Sequence, residues 1–170
     1  MKRIALLVPL VLLALLAAGC GAAASDSDDE NRQEPQPISA GQVIQRFERA
    51  PGQPKLKRAP GADAAWEQLS FGFDVPPALQ RRYGTFSVYV VEPGNKEAVE
   101  SLLRDKENGK PLERGPGGVY WEHDDLADTY VAYKRFGANA VLAWWSEKPR
   151  PETDARWQRL DEMLTSLART

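Results

Sequence analysis

The chain runs to 170 residues and is close to neutral, with 22 Lys and Arg against 24 Asp and Glu. That balance offers no clustered basic surface of the kind a nucleic-acid partner requires, so no nucleic acid is expected. A single cysteine excludes an internal disulfide, so the core must be held by packing, to which five Trp contribute heavily.

The sequence opens with Lys2 and Arg3, followed by an apolar run over residues 4–16 and then by Ala17, Ala18 and Gly19. A charged start, an apolar stretch and small residues before a cut make the three-part pattern of a secretory signal. A transmembrane helix needs about 20 apolar residues; this run is shorter and carries Pro9 inside it. Leu16, Ala17, Ala18, Gly19 and Cys20 resemble the lipobox of bacterial lipoproteins, whose usual form is Leu, a small residue, Gly or Ala, and Cys. Here Ala17 stands in the position of the Leu, with Leu16 one place earlier. The resemblance implies a signal peptide over 1–19, removed by a dedicated peptidase, and a diacylglyceryl group on the Cys20 thiol. That covalent lipid, with chains of the palmitate kind, is the one non-protein group expected; no cofactor and no metal are. The mature protein would then sit on the extracytoplasmic face of the cell membrane. Two acyl chains suit a stable anchor, because one chain at roughly 0.8 kcal/mol per buried methylene holds only marginally. Ordinary cleavage would leave Cys20 as a stray thiol in an oxidising compartment.

Residues 21–37 hold Ser, Asp, Glu, Gln and Pro with almost no large apolar side chain, and read as a disordered tether. Asp26, Asp28, Asp29, Glu30 and Glu34 against Arg32 make it acidic, so anionic headgroups should repel it. Its 17 residues reach at most ~60 Å when extended. The spacing and central Gly of a calcium loop are missing from 26–31.

Residues 38–170 form the expected single globular domain, long enough to bury a core without staples, and its charges balance at 19 acidic and 19 basic. Ser39 and Gln42 have the spacing of a capping box, with Ile38 and Val43 as the staple around it, and Val43, Ile44 and Phe47 form one helical stripe over 38–50. The Pro- and Gly-rich stretch 51–62 reads as a long connection pinned by Leu56, in which Lys55, Lys57 and Arg58 offer charge for an anion. Strands are predicted over 66–73 and 86–92, the first ended by Pro76 and Pro77 and the second by Pro93 and Gly94. Asn95 then caps a helix whose buried stripe is Ala98, Val99, Leu102 and Leu103. Strands over 119–123, 129–134 and 139–145 follow, the last two joined through Phe136, Gly137 and Ala138 as a tight hairpin. Trp157, Leu160, Leu164 and Leu167 give the final helix an apolar face.

The predicted order is α-β-β-α-β-β-β-α. Short links favour antiparallel pairing, and the expected fold is an α+β two-layer sandwich with a mostly antiparallel sheet of about five strands and helices on one face.

Chemistry is sparse. Glu122, His123, Asp124 and Asp125 form the best polar cluster and hold the only histidine, so a secreted hydrolase or a metal-dependent enzyme would have to use them. Neighbours on a strand point to opposite faces, a zinc site needs three or four ligands, and neither a Gly-x-Ser-x-Gly elbow nor a phosphate-cradling glycine loop occurs. Only a serine such as Ser70, Ser87 or Ser146 brought within reach of His123 would alter that reading. The aromatic residues point elsewhere. Trp144 and Trp145 are adjacent on a strand, so one faces the helices and the other the opposite side. Trp145, Tyr89 and one of Tyr130 or Tyr133 would mark an open face beside Ser and Thr. Trp145, Tyr89, Tyr133 and Trp121 are therefore the candidate binding residues, for a cell-wall glycan or an envelope protein. The expected role is that of a non-catalytic ligand- or partner-binding module.

Overall fold

The computed structural model describes residues 35–49, 52–59, 65–72, 74–126, 128–147 and 153–169. The expected signal peptide, Cys20 and nearly all of the tether lie outside the described residues. From residue 33 onward the chain is one compact unit. No helix among the described residues is long and apolar enough to cross a membrane.

The domain begins where the capping box predicts. The Ser39 Oγ accepts the Gln42 N–H at 3.2 Å and the Gln42 Oε1 accepts the Ser39 N–H at 2.9 Å, closing both orphan donors at the start of α1 (Ala40–Arg49). Strand β1 (Lys57–Arg58) is a two-residue addition to β2 (Trp66–Phe71). It arises inside the predicted connection, where Leu56 is buried as expected. Helix α2 (Pro77–Tyr83) replaces the simple return predicted between the first two strands. Its second proline, read as a strand stop, is the first residue of a helix, a position that spends no hydrogen bond on the missing N–H. Then come β3 (Thr85–Val91), α3 (Lys96–Leu102), β4 (Val119–Asp124), β5 (Thr129–Phe136), β6 (Ala140–Ser146) and α4 (Ala155–Ala168). Asn95 caps α3 by accepting the Ala98 N–H at 3.1 Å.

All six strands lie in one antiparallel sheet of order β1-β2-β3-β6-β5-β4. The fold is α+β, as the pattern of strands and helices predicts. Its layering departs from the prediction in one helix. Helices α1, α2 and α4 cover the first face, where Leu69, Phe71, Phe86, Val88, Leu142 and Trp144 meet Val43, Phe47, Tyr83, Trp157 and Leu160. Helix α3 and the segment after it lie on the second face, placing Ala98, Val99, Leu103 and Leu112 over Val91, Val131, Tyr133, Val141 and Ala143. The reason is in β6, whose residues 140–144 are apolar and buried on both sides, so each face needs a cover.

Two polar devices lock the layers. The buried Asn139 side chain accepts the Ile38 N–H through Oδ1 at 2.9 Å and donates through Nδ2 to the carbonyls of Ile38 at 2.8 Å and Val91 at 2.9 Å. It joins the entry to α1, the end of β3 and the β5–β6 turn. The fully buried Trp144 packs at a tilt against Trp157, with ring centroids 5.4 Å apart, and donates its indole N–H to the Tyr83 carbonyl at 3.1 Å. Gly84 lets that contact form. Its φ of 74° is left-handed, and a Cβ there would fall inside the Trp144 indole.

Asn139→Ala is expected to strand three buried backbone groups and cost about 3–5 kcal/mol, whereas Gly84→Ala should cost about 2–4 kcal/mol by strain and overlap. Urea unfolding measures both. An Asn139→Ala midpoint equal to that of the parent chain would show that the latch contributes no stability.

Candidate functional site

Pairing register decides which residues share the second face. One row across the sheet reads Lys57, Ser70, Ser87, Ala143, Tyr133 and Tyr120. The next reads Thr85, Trp145, Val131 and Glu122. Helix α3 and its following segment pack on the β6–β5 part of this face, and the corner of β1, β2 and β3 carries a pocket of about 240 Å³. Its polar walls are Lys55, Lys57, Gln68, Ser70, Asp74, Thr85 and Ser87, and Trp145 closes one side. A second, wider depression of about 750 Å³ begins beyond Trp145 and Thr85, with Gln80, Ser146, Asp154 and Arg156 along it. Trp145 and Thr85 thus line both concavities.

The hydroxyls are ordered by their neighbours. Ser70 and Ser87, direct cross-strand partners, place their Oγ atoms 3.1 Å apart, and the Gln68 Nε2 donates to the Ser87 Oγ at 3.1 Å. The Gln80 Nε2 donates to the Thr85 Oγ1 at 3.3 Å. Behind the pocket the phenol of Tyr89 hydrogen-bonds Ser87. Burial pushes its pKa above the ordinary 10.0, against the smaller opposing pull of that hydrogen bond. On the rim of the second depression Arg156 is pinned twice. Its guanidinium meets the Asp154 carboxylate at 2.7 and 3.1 Å and lies over the Trp144 ring at 5.1 Å from the centroid. The pair holds the Asp154 carboxyl below its usual range, chiefly through the Arg156 side-chain hydrogen bonds.

Of the four predicted binding residues, Trp145, Tyr89 and Tyr133 share the second face, and Trp121 points to the first, where it borders the helix-side core. Only Trp145 lines the pocket. Tyr89 packs edge-on to Trp66 at 6.3 Å, and Tyr133 is buried beneath the α3 layer with its hydroxyl donating to the Glu122 Oε2 at 2.6 Å. The pocket's other side chains follow from the strand pairing. Alternation puts Gln68 and Ser70 on one face of β2, and Thr85 and Ser87 on one face of β3, but not which strands adjoin.

The Glu122 to Asp125 cluster is divided as strand alternation requires. Glu122 turns to the second face, where it also accepts the Lys106 N–H at 3.3 Å. His123 turns to the first, stacks on Tyr130 at 4.6 Å, and places Nδ1 2.7 Å from Asp125 and Nε2 3.4 Å from Asp128. Ser70 and Ser87 lie on the opposite face from His123, and Tyr130 stands in the row between His123 and Ser146. Two strand spacings of about 4.8 Å therefore separate those backbones. No group of three or more His, Cys, Asp or Glu arranged to hold a metal occurs among the described residues.

Within the pocket, hydroxyl, amide and ammonium groups converge beside one indole. Such a surface can hydrogen-bond a polyhydroxylated ligand while the indole packs against its C–H face. The volume lies below the roughly 300 Å³ at which drug-sized sites begin, and suits a single sugar-sized group. No protein-family model matches this chain, and no curated protein or solved structure matches it either.

The two adjacent tryptophans should respond differently to truncation. Trp144→Ala empties a fully buried site and should cost about 3–5 kcal/mol, while Trp145→Ala, at a partly buried site, should cost about 1–2 kcal/mol. Equal losses in denaturant titration would return Trp145 to the core. Tyr89 adds a pH dependence. Its raised pKa means that above pH 10 the unfolded chain releases a proton the folded chain keeps. The associated stability is complete below the unfolded pKa and is lost as pH rises through the folded one. Tyr89→Phe should flatten the fall in melting temperature between pH 9 and pH 11, measured as an alkaline series at about half-unit steps.

Proposed function

We propose that this chain is a lipid-anchored protein of the bacterial cell envelope whose domain is a non-catalytic binding module, and that its ligand is a cell-wall glycan gripped around Trp145. The observation that carries the reading is that Trp145 lines both a hydroxyl-lined pocket and a larger depression next to it. A polymer of sugar units needs that arrangement, with one unit seated and its neighbours laid along a groove. Lys55 and Lys57 at the pocket edge add attraction for a carboxylate-bearing sugar, and Asp74 beside them limits the net charge. A partly exposed tryptophan is a common anchor because the ring supplies contact area at low entropic cost.

The anchor belongs to the same reading. Cys20, preceded by Leu16, Ala17, Ala18 and Gly19, would carry the diacylglyceryl group on the extracytoplasmic face of the membrane, and the acidic segment to residue 37 would give the domain reach toward the wall. Domain and glycan then meet at a high local concentration, which lets a weak site suffice.

Cys20→Ser should abolish incorporation of labelled fatty acid, and label persisting on that variant would end the lipoprotein reading. For the ligand, the full-length chain in non-ionic detergent should sediment with purified, insoluble cell-wall glycan. Trp145→Ala and Lys57→Ala, each compared well below its melting temperature, should weaken retention about tenfold, equivalent to ~1.4 kcal/mol. Unchanged retention in both would overturn the assignment of the pocket.

A further inference from the structure

Away from the Trp145 pocket, the helix-covered face carries a concentration of arginines. Arg46 and Arg49 in the last turn of α1 and Arg159 of α4 line a concavity of about 400 Å³, together with Gln53, Glu162 and Met163. Arg82 of α2 lies beside it, its guanidinium against Gly52. Glu162 is the one acidic side chain lining the concavity, and among the described residues none of the four arginines has a carboxylate within ion-pair distance.

Three of the four are held in place without using up their charge. Arg82 and Arg159 both lie over the Tyr83 ring, at 5.3 and 5.7 Å from its centroid, and Tyr83 is fully buried with its hydroxyl donating to the Gly52 carbonyl at 3.2 Å. Arg46 donates from Nη2 to the Ser166 Oγ at 3.1 Å. A ring face attracts the charge without taking up the guanidinium N–H donors. Ordering several like charges around one hollow is unfavourable until an anion enters. Placing Arg46 and Arg49 at the C-terminus of α1 recovers some of that cost through the helix dipole, but that does not account for Arg82 and Arg159 converging from two other helices. Gln53, which also lines the hollow, adds a buried Oε1 atom with no donor among the described residues. A hydroxyl on the ligand or a protonated oxygen would satisfy it.

We propose that Arg46, Arg49, Arg82 and Arg159 form a binding site for a phosphate group. The planar fork of arginine matches phosphate oxygens in pairs, which a lysine cannot reproduce. The phosphate can be carried by an anionic lipid headgroup or be free in solution. The site does not depend on the glycan reading or on the lipid anchor.

The test uses the full-length chain in uncharged detergent micelles, with the arginine side-chain N–H resonances as the readout. One arm titrates pyrophosphate. The other compares mixed micelles containing phosphatidylglycerol with micelles containing phosphatidylcholine at equal mole fraction. Saturable shifts at Arg49 and Arg159 are expected in at least one arm, weakening with added salt. Shifts with pyrophosphate alone identify a soluble phosphate ligand, and shifts with phosphatidylglycerol alone identify a headgroup. Arg49→Ala with Arg159→Ala should weaken binding by at least about tenfold, while Arg49→Lys with Arg159→Lys should recover only part of it. Absence of saturable shifts in both arms, or parental binding by the double alanine variant with an unchanged melt, would overturn the proposal. A loss of melting temperature in that variant would direct the comparison to the lysine pair, whose parental affinity would equally overturn the role of the guanidinium fork.

Discussion

The structure depends most on the side chain of Asn139. It sits in the turn between β5 and β6, fully out of water, and satisfies backbone groups of two segments, one 48 and one 101 residues away along the chain. An asparagine amide supplies two donors and an acceptor in one rigid plane, so it serves both groups of Ile38 and the carbonyl of Val91 at once. The entry to α1 is thereby fixed against the sheet, and with it the helix that carries Val43 and Phe47 into the core. A buried amide left half-satisfied would cost more than an apolar residue in its place. The geometry works because all three partners arrive together.

With that corner set, the two-sided sheet follows. Central strand β6 presents Ala140, Leu142 and Trp144 to the long helices, and Val141 and Ala143 to α3. A central strand apolar on both faces has to be covered twice, and the chain achieves this by sending one short helix to the far side. That helix does not extend over the whole face. Where it stops, Thr85, Ser87, Ser70 and Gln68 replace aliphatic residues, and the sheet surface becomes the wall of a pocket.

Trp144 and Trp145 show how one step along a strand separates stability from surface chemistry. The first is buried, bonded to the Tyr83 carbonyl and packed against Trp157; the second borders two concavities. Tyr83 has a comparable double role on the other side of the molecule. Its ring belongs to the core, and Arg82 and Arg159 lie over it. In both places the proposed binding surface rests directly on an aromatic layer, which limits the motion available to the groups that would meet a ligand.

What the sequence by itself determined was whatever depends on neighbours in the chain. The Ser39 and Gln42 capping box, the Asn95 cap, the alternation of β3, the hairpin around Gly137 and the opposite facing of Trp144 and Trp145 all arise from local geometry, and each was legible from spacing alone. Helix α2 was not, because Pro76 and Pro77 stop a strand and start a helix with the same two residues. Only the tertiary structure decided that α3 crosses to the second face, that Tyr133 is buried while Trp145 borders a pocket, and that Trp121 faces the other way. Those outcomes turn on strand order and register, which bring Lys57, Ser70 and Ser87 into one row from three separate strands. The four arginines come from three helices, Arg82 and Arg159 sharing one buried tyrosine and Arg46, Arg49 and Arg159 lining one hollow. No spacing within a single element encodes such meetings, because the energy that fixes them is the burial of faces contributed from different parts of the chain.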